Sequence, residues 1–301
     1  MIRFSFKQLA YFVAAAEDGS TSRASESLHV SQPAISMAIT QLESAFRQKL
    51  FVRLHGQGMV LTPFGRRKLT EVRHLLANAT AIAAPEGEEG IQGELEVGVF
   101  STLAAAVLPA ILSAFRVAYP GINTRVRETP LDHLFRDLDS GTIELALMYD
   151  FNLAEDVRRI SLAAFYPYVL LPAGHPLAAK ATVSLVDVAE EPYVLIDLPY
   201  SREYFLSLFR IANVTPTRLI RCASLESVRG MVAHGQGLST LVTRPAGDIS
   251  YDGRPLICRP IREMVPPQEV IIAYSPRSPP TRVAKAFISV SQRYFANREQ
   301  H

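Results

Sequence analysis

The apolar pattern of this chain changes its period near residue 92, and this change constrains the fold more than any other feature. Before it, apolar residues recur every three or four positions, which is typical of amphipathic helices. After it, strand-like alternating runs take turns with helical stretches, which indicates an α/β unit with helices flanking a sheet. Gly87, Gly90 and Gly93 lie among acidic residues and predict a hinge. We therefore expect an all-α N-terminal unit joined to a larger α/β unit.

The charged residues divide along the same line. Residues 1–84 hold ten Lys and Arg against five Asp and Glu, a net charge of +5, whereas the remainder carries −3. The whole-chain charge of +2 therefore hides a basic head, and we expect a polyanion to bind near the N-terminus. Cys222 and Cys258 form no CxxC pair, which argues against a disulfide framework or zinc site and favours a reducing, cytoplasmic location.

Three helices are predicted in the first 46 residues. Apolar residues at helical spacing predict a first helix over residues 6–17, and a second, short helix follows Ser20. Ser31 and Pro33 are expected to form the cap and first turn of a third helix. This is the arrangement of a helix-turn-helix, whose last helix enters the major groove. On periodicity alone, a three-helix bundle that binds nothing explains the pattern equally well.

The outer face of the third helix and a following hairpin carry the candidate DNA contacts. Gln, Ser and Thr side chains hydrogen-bond base edges, and they predominate on that outer face. Two short apolar runs between residues 50 and 61 predict a hairpin, in which Arg53 and the turn amides would contact phosphates. The hairpin makes the helix-turn-helix winged. The outward residues of the third helix are Gln32, Ser36, Met37, Thr40 and Gln41.

Two runs carry a resemblance to a known family: AYFVAAAEDGSTSRASESLHVSQPAISMAITQLES and LFVRLHGQGMVLTPFG. They resemble the N-terminal domain of LysR-type transcriptional regulators over about residues 5–66, without a gap. The most specific parts are SQPAIS, the QLE run and the LF-R wing. The resemblance implies a winged helix-turn-helix that binds DNA as a dimer, with its recognition helix at Ser31–Glu43. The predicted DNA-contacting residues are Thr21, Arg23, Ser31, Gln32, Pro33, Ser36, Met37, Thr40, Gln41, Arg53 and Gln57.

Two positions depart from the family pattern. Met37 stands directly after the last Ser of SQPAIS, where a basic residue is common, and it removes a contact to a base or a phosphate. Thr21 stands where an aromatic residue usually precedes the Thr/Ser-Arg-Ala run. Neither departure affects the expected fold, but both bear on operator sequence and affinity. Since the basic surplus of the head is small, we expect affinity to depend on pairing two or more heads.

A linker helix is predicted to follow the hairpin. Thr62 and Pro63 are a cap and a first-turn proline, and the helix is expected to end near Pro85 within a linker and hinge at 62–91. Apolar residues recur at alternating spacings of three and four, which predicts a seam for a partner helix. The alternative is a helix that lies on its own domain. The resemblance implies a homodimer through this helix, or a homotetramer. The seam residues are Leu69, Val72, Leu76, Ala79 and Ala83.

The C-terminal unit alternates strands and helices. Strands are predicted near residues 95–99, 122–126, 143–148, 168–171, 193–196 and 238–242, and helices at 103–118, 202–212 and 225–234. The runs GELEVGVFSTLAAAVLPAILSAFRVAYPGI, SGTIELALMYD and AHGQGLSTL are similar to the effector domain of the family. The resemblance implies a two-lobed, periplasmic-binding-protein-like domain at 92–301. Lobe I would comprise residues 92–162 and 268–301, and lobe II residues 163–267.

Polar residues at strand ends define a candidate effector site. In open α/β sheets, ligands bind beyond the carboxyl ends of the strands, near helix N-termini. Any single Ser or Thr among them is better explained as a cap or turn residue, but the convergence of these positions on one cleft favours a pocket. The candidates are Ser101, Thr102, Thr129, Tyr149, Asp197, Ser201 and Arg202.

Asp197 gives rise to two hypotheses about the effector. A carboxylate in a partly buried cleft needs a cation. In the first hypothesis, Asp197 receives the ammonium of an amine-bearing or zwitterionic effector, whose polar end lies at Ser101, Thr102 and Thr129. In the second, which has equal weight, Asp197 pairs with Arg202 and the effector is undefined.

Other function classes find little support in the sequence. Gly235-Gln236-Gly237 lacks the third glycine of a dinucleotide loop, no GxSxG elbow or P-loop occurs, and the seven histidines have no metal-ligand spacing. We therefore expect the protein to have no enzymatic activity and to bind no metal or cofactor. The alternative is a stand-alone α/β small-molecule-binding protein or enzyme without a DNA role. An exported solute-binding protein would need a signal peptide, for which the apolar run at 8–16 is too short.

Together these patterns predict a cytoplasmic transcriptional regulator with a winged helix-turn-helix at 1–61, a linker and an effector domain. Its expected partners are double-stranded promoter DNA, a small-molecule effector, a second copy of the chain and RNA polymerase, with no membrane involved. Closure of the cleft around the effector would change how effector domains pack in the oligomer and so move the DNA heads.

Overall fold

The structure, a computed structural model, describes residues 3–54, 58–83, 91–151 and 157–298. Its N-terminal unit begins with helices α1 (Phe6–Asp18), α2 (Thr21–Ser27) and α3 (Gln32–Phe46). Ser5 and Gln8 form a capping box at the start of α1, and Gly19, with a φ of 60°, ends it in the left-handed conformation. Ser31 is the extended N-cap of α3, but its side chain makes no capping hydrogen bond.

The wing packs against α3 through a half-buried carboxylate. Strands β1 (Phe51–Leu54) and β2 (Gly58–Leu61) pair antiparallel, with Phe51 opposite Leu61. Glu43 Oε1 accepts hydrogen bonds from the amides of Leu50 at 2.9 Å and Phe51 at 3.4 Å, which ties the start of the wing to the end of α3. The Phe51 ring meets Phe12 of the helical core edge to face at 5.6 Å. The wing is therefore held in a fixed position beside α3.

The linker helix α4 (Pro63–Ala83) begins at Thr62, whose Oγ1 accepts a hydrogen bond from the amide of Gly65 at 2.8 Å. Leu69 and Val72, predicted to face a partner helix, are instead buried in the core of their own N-terminal unit, and Leu76 packs against that core. This matches the alternative of a helix lying on its own domain. The physical reason is size, because three short helices bury too little apolar surface without α4.

Two predictions about the linker lie outside the described residues. These are the end of the helix near Pro85 and the hinge at Gly87 and Gly90. The side chain of Ala83 is likewise not described, whereas Ala79 is half-buried.

The first lobe of the C-terminal unit is built on a five-stranded sheet. Its strands are β3 (Gly93–Phe100), β4 (Ile122–Thr129), β5 (Leu145–Tyr149), β6 (Arg158–Phe165) and β12 (Gln268–Tyr274), in the spatial order β4-β3-β5-β12-β6. β3 runs parallel to β4 and β5, whereas β12 is antiparallel to β5 and β6. Helices α5 (Ser101–Ala104), α6 (Leu108–Ala118), α7 (Leu131–Ser140) and α11 (Arg282–Arg298) flank this sheet.

The second lobe carries the intervening strands. They are β7 (Tyr168–Pro172), β8 (Tyr193–Ile196), β9 (Leu219–Cys222), β10 (Ser239–Leu241) and β11 (Leu256–Pro260). A sheet in the order β10-β7-β11 continues into the β8-β9 pair, because the amide of Val194 donates to the Leu238 carbonyl at 2.7 Å. Helices α8 (Leu185–Ala189), α9 (Ser201–Ile211) and α10 (Leu225–Ala233) pack on these strands.

The predicted fold class is confirmed, with two local differences from the expected elements. The helix expected at 103–118 is divided into α5 and α6, because Pro109 starts a new helix in its first turn. The first lobe extends beyond residue 162, because β6 pairs with β12 as far as Phe165. Among the described residues, no helix is both long and apolar enough to cross a membrane.

Candidate DNA interface and effector cleft

The outer face of α3 presents the predicted base-contacting side chains to solvent. Gln32, Met37, Thr40 and Gln41 are exposed and Ser36 is half-buried, because the opposite face packs into the helical core. Gln32 Nε2 donates to Thr21 Oγ1 at 3.2 Å, which ties the start of α3 to α2. These polar groups lie on one side of one helix, as a groove-reading surface requires.

Met37 has basic neighbours from another part of the chain. Its side chain is 60% exposed and borders an open depression that Arg3, Lys7 and Gln41 also line. Both cations are exposed, and neither was among the predicted contacts. The charge excess of the head was the only sequence signal for them, because their proximity to Met37 depends on how α1 crosses α3. The chain thus places positive charge beside the position where the family commonly has a basic residue.

The remaining predicted DNA contacts surround this face. Ser31, Pro33 and Arg23 are exposed and Thr21 is half-buried. Arg53 lies in β1 opposite Met59, and its side chain is not described. Gln57 lies outside the described residues.

A cavity lies between the lobes where the chain crosses from one to the other. Its volume is about 20 Å³, which is room for about one water molecule, so the lobes are nearly closed on each other. Its aromatic lining includes Phe151 and Phe205, and lobe II adds aliphatic side chains. The polar lining residues are Thr102, Tyr149, Ser201, Tyr204, Thr243 and Gln268.

The cavity brings together only part of the predicted effector site. Thr102, Tyr149 and Ser201 line it, whereas Ser101, Thr129, Asp197 and Arg202 are not among its lining residues. Thr129 ends β4, the edge strand of its sheet, where it pairs with Phe100 of β3 and does not line the cavity. Ser101 and Thr102 are neighbours on α5, and only Thr102 is buried.

Asp197 has cationic partners within the protein. Its Oδ1 lies 3.2 Å from Nε of Arg202, and its Oδ2 lies 3.6 Å from Nη1 of Arg221. The structure therefore contains the Asp197–Arg202 pair of the second hypothesis. It also adds Arg221 as a partner, which the sequence did not indicate. A ligand ammonium at this carboxylate would compete with both.

A hydrogen bond joins the two lobes beside the cavity, and two others fix lining side chains within a single lobe. The Tyr149 hydroxyl in lobe I bonds to Thr243 Oγ1 in lobe II. Gln268 Nε2 donates to the Asp150 carbonyl at 2.7 Å, and the Tyr204 hydroxyl donates to the Pro266 carbonyl at 3.0 Å. Burial raises the pKa of Tyr204, and ionisation of the neighbouring Tyr149 would raise it further, so the Tyr204 hydroxyl remains a donor even in alkaline solution.

Aromatic rings cluster around Phe151, which lines the cavity. Phe151 contacts Phe100 at 5.8 Å and Tyr149 at 5.9 Å, both edge to face, and it contacts Tyr200 of lobe II at 5.9 Å in a tilted arrangement. Tyr200 has a φ of 67°, which is unfavourable for a bulky side chain. The Phe151–Tyr200 pair thus bridges the lobes.

Sequence reasoning missed Phe151, Tyr204, Phe205 and Gln268. Two of them had a usable signal: Phe151 follows β5 within two residues, and Tyr204 lies three positions after Ser201 on the same helix. Gln268 had none, since it is the first residue of a strand that returns from the other lobe.

The linker helix contacts both units. Arg73 Nη2 lies 2.8 Å from Glu17 Oε1 of α1, and its Nη1 donates to the Gly141 carbonyl of lobe I at 3.3 Å. Thr70 Oγ1 donates to the neighbouring Ser140 carbonyl. One turn of α4 therefore connects α1 of the N-terminal unit to the lobe whose strands reach the cavity.

These features define a DNA-binding protein with a second, two-lobed domain of the small-molecule-binding type. The family models agree: residues 6–66 match the bacterial regulatory helix-turn-helix protein, lysR family, and residues 88–296 match the LysR substrate binding domain. The chain belongs to the LysR family of transcriptional regulators.

Individual relatives show the same architecture. The transcriptional regulator CfxR of Cupriavidus necator is 32% identical over 253 residues, which cover 81% of this chain and 77% of that protein. The crystal structure of HinK, a LysR family transcriptional regulator from Pseudomonas aeruginosa, is 35% identical with a TM-score of 0.66, and the match covers 96% of this chain and 98% of HinK. The structure of a full-length OxyR variant from Pseudomonas aeruginosa matches 96% of this chain and 98% of the OxyR chain with a TM-score of 0.74. At 24% identity, this likeness shows the fold alone.

Proposed function

We propose that a small molecule bound between the lobes controls how this regulator binds its operator. The supporting observation is the nearly closed cavity at the lobe crossing, which Thr102, Tyr149 and Ser201 line together with Phe151 and Gln268. The amine-bearing or zwitterionic effector has lost its main support, because Asp197 has two arginine partners and does not line the cavity. Ser101, Thr129, Asp197 and Arg202 are accordingly left out of the proposed contacts.

On the DNA side, the proposal assigns base contacts to the outer face of α3. Gln32, Ser36, Thr40 and Gln41 would hydrogen-bond base edges, and Met37 would make an apolar contact. Arg23, Arg53 and Gln57 remain predicted contacts to the backbone or nearby groove, with Thr21, Ser31 and Pro33 placing the start of α3. Arg3 and Lys7 join them as phosphate contacts, because they are exposed cations that line the same depression as Met37.

The two sites communicate, in this proposal, through α4. Opening or closing of the lobes would shift the Ser140–Gly141 turn, which Thr70 and Arg73 hold, and so reorient the DNA-binding unit. In a homodimer or homotetramer this shift would change the spacing of paired heads, and with it promoter bending or contact with RNA polymerase. A cytoplasmic location belongs to the same proposal.

Footprinting on the intergenic region upstream of its own gene, with and without candidate metabolites, tests the proposal. We expect a protected site whose extent changes with an effector, and we expect substitution of Thr102 or Tyr149 to abolish that change while protection itself remains. Protection that no metabolite alters would contradict effector control. Absence of any protected site there, or at other promoters, would contradict the regulatory role. The alternative of a stand-alone binding protein or enzyme has no observation in its favour, since residues 6–66 match a DNA-binding family.

A further inference from the structure

The inter-lobe cavity has an uncharged lining. Of the described residues that line it, none is Asp, Glu, Lys, Arg or His. Asp197, which precedes α9, does not line the cavity and is paired with Arg202 and Arg221. A charged ligand group placed in the cavity would lose its water without gaining an opposite charge, which is costly.

Neither α5 nor the bonded amides of α9 supply the missing charge. α5 is only four residues long. At the start of α9, the amide of Arg202 already donates to the Leu198 carbonyl at 3.0 Å, and that of Tyr204 to the Tyr200 carbonyl at 3.1 Å. An anion at this end would therefore find these two amides already bonded within the protein.

Two polar atoms in the cavity lining lack partners among the described residues. Thr102 Oγ1 and Gln268 Oε1 are buried, in residues only 8% and 4% exposed, and neither makes a hydrogen bond within the described part of the chain. The orientation of the Gln268 amide is determined by its neighbour, because Nε2 must face the Asp150 carbonyl to donate to it. Its oxygen is thus left as an acceptor, and a buried acceptor without a donor is unfavourable until something supplies one.

The rest of the lining suits a flat ring. Tyr149, Phe151, Tyr204 and Phe205 contribute aromatic surface, and Phe151 already packs edge to face with two other rings. Aromatic pairs of this geometry gain attraction beyond simple burial. An aromatic ligand could replace the contact between Phe151 and Tyr200 when the lobes part.

We infer that the effector is an uncharged, planar aromatic molecule that carries a hydrogen-bond donor for Gln268 Oε1 and a polar group for the Thr102 hydroxyl. This inference rests on the proposed function of the cavity as the effector site and adds the chemical class of the ligand. Because the cavity holds only about one water molecule, binding must separate the lobes at the Phe151–Tyr200 pair. The ligand therefore acts as a wedge that the Tyr149–Thr243 hydrogen bond opposes.

Three probes with the same ring test the charge requirement on the full-length protein. Benzamide is neutral and carries both a donor and an acceptor, benzoate is an anion, and benzylamine is a cation at pH 7. Isothermal titration calorimetry is expected to show binding of benzamide at millimolar or lower concentration and at least about tenfold weaker binding of the other two.

Two variants test whether benzamide binds in the cavity. Gln268→Leu and Thr102→Val should each weaken benzamide binding about tenfold, the effect of one lost hydrogen bond. Gln236→Leu, at an exposed glutamine outside the cavity, and Thr129→Val are the matched controls and should change nothing. If Gln268→Leu does not fold, Thr102→Val locates the site, and the charge preference is still measured on the wild-type protein.

The outcomes separate the inference from the proposed function. Benzoate or benzylamine binding as tightly as benzamide, with the same loss in Thr102→Val, overturns the chemical class but leaves the cavity as the effector site. The chemical class is also overturned if none of the three probes binds, even at ten times the concentration at which benzamide is expected to saturate the protein. The regulatory role fails separately, if no operator is found by footprinting, whatever the probes do.

Discussion

The two functional surfaces of this chain are assembled in opposite ways. The proposed DNA-binding face comes mainly from one helix of 15 residues, α3, with neighbours from α1 and α2. The proposed effector cavity takes Thr102, Tyr149, Ser201 and Gln268 from four separate segments spread over more than half of the chain. Local periodicity determines which residues a helix turns outward, whereas a cavity depends on how strands are ordered in two sheets. The first kind of site is visible in a sequence, and the second is visible only in part.

This difference also predicts that the two surfaces are separable in stability. Phe12 is fully buried in the N-terminal core, so Phe12→Ala should cost that unit about 3–5 kcal/mol and abolish DNA binding at 37 °C. The effector unit has its own hydrophobic core and should still bind its ligand. Calorimetric unfolding combined with gel shift on the operator checks both parts. Phe6→Ala, at an exposed phenylalanine, is the control, and joint unfolding of both units in Phe12→Ala would show that they are not independent.

Within the DNA face, base contacts and phosphate contacts should respond differently. Gln32→Ala should lose about 1–3 kcal/mol on the operator and little on random DNA, because a side chain that bonds a base edge discriminates between sequences. Ser36→Ala is expected to behave in the same way. Gel shifts on operator and scrambled duplexes measure this, with Gln48→Ala, at an exposed glutamine after α3, as the control. Equal losses on both duplexes would remove Gln32 from the base-reading set.

Lys7→Ala tests whether a cation from α1 compensates for Met37. We expect a similar loss on operator and random DNA, and a reduction by about one in the slope of log affinity against log salt, since one phosphate contact disappears. Lys285→Ala, in α11 far along the chain, is the control for net charge. A loss confined to the operator would mean that Lys7 contacts a base.

The sequence predicted α1, α2, α3 and the wing almost residue by residue, because caps, turns and helical spacing are local. It also predicted the α/β class of the second unit. It could not place Gln268 beside Thr102, since β12 returns to the first sheet only after the whole second lobe. Leu69 and Val72 show the same limit in a helix: spacing shows that a face is apolar but not what covers it, and here the cover is the chain's own α1 and α3 core.

Arg73 lies where the two regions meet, so it tests whether they communicate. Arg73→Ala removes the ion pair with Glu17 and the bond to the Gly141 carbonyl, a loss of about 1 kcal/mol at this half-exposed position. We expect operator affinity without effector to change little and the effector-dependent change in the footprint to shrink. Arg67→Ala, on the same helix, is the control. An unchanged effector response would mean that coupling does not pass through this contact.

Substitution of Asp197 is expected to have the smallest effect on stability and on effector affinity, and it distinguishes most directly between the two effector hypotheses. Its side chain is 21% exposed and its partners Arg202 and Arg221 are more exposed still, so Asp197→Asn should cost no more than about 0–1 kcal/mol of stability. Because the carboxylate does not line the cavity, effector affinity should stay within about twofold of wild type. Ser201→Ala, inside the cavity, is the comparison variant and should weaken binding more. A tenfold loss in Asp197→Asn alone would instead restore the amine-bearing effector, because the carboxylate would then have to exchange its arginine partners for the ligand.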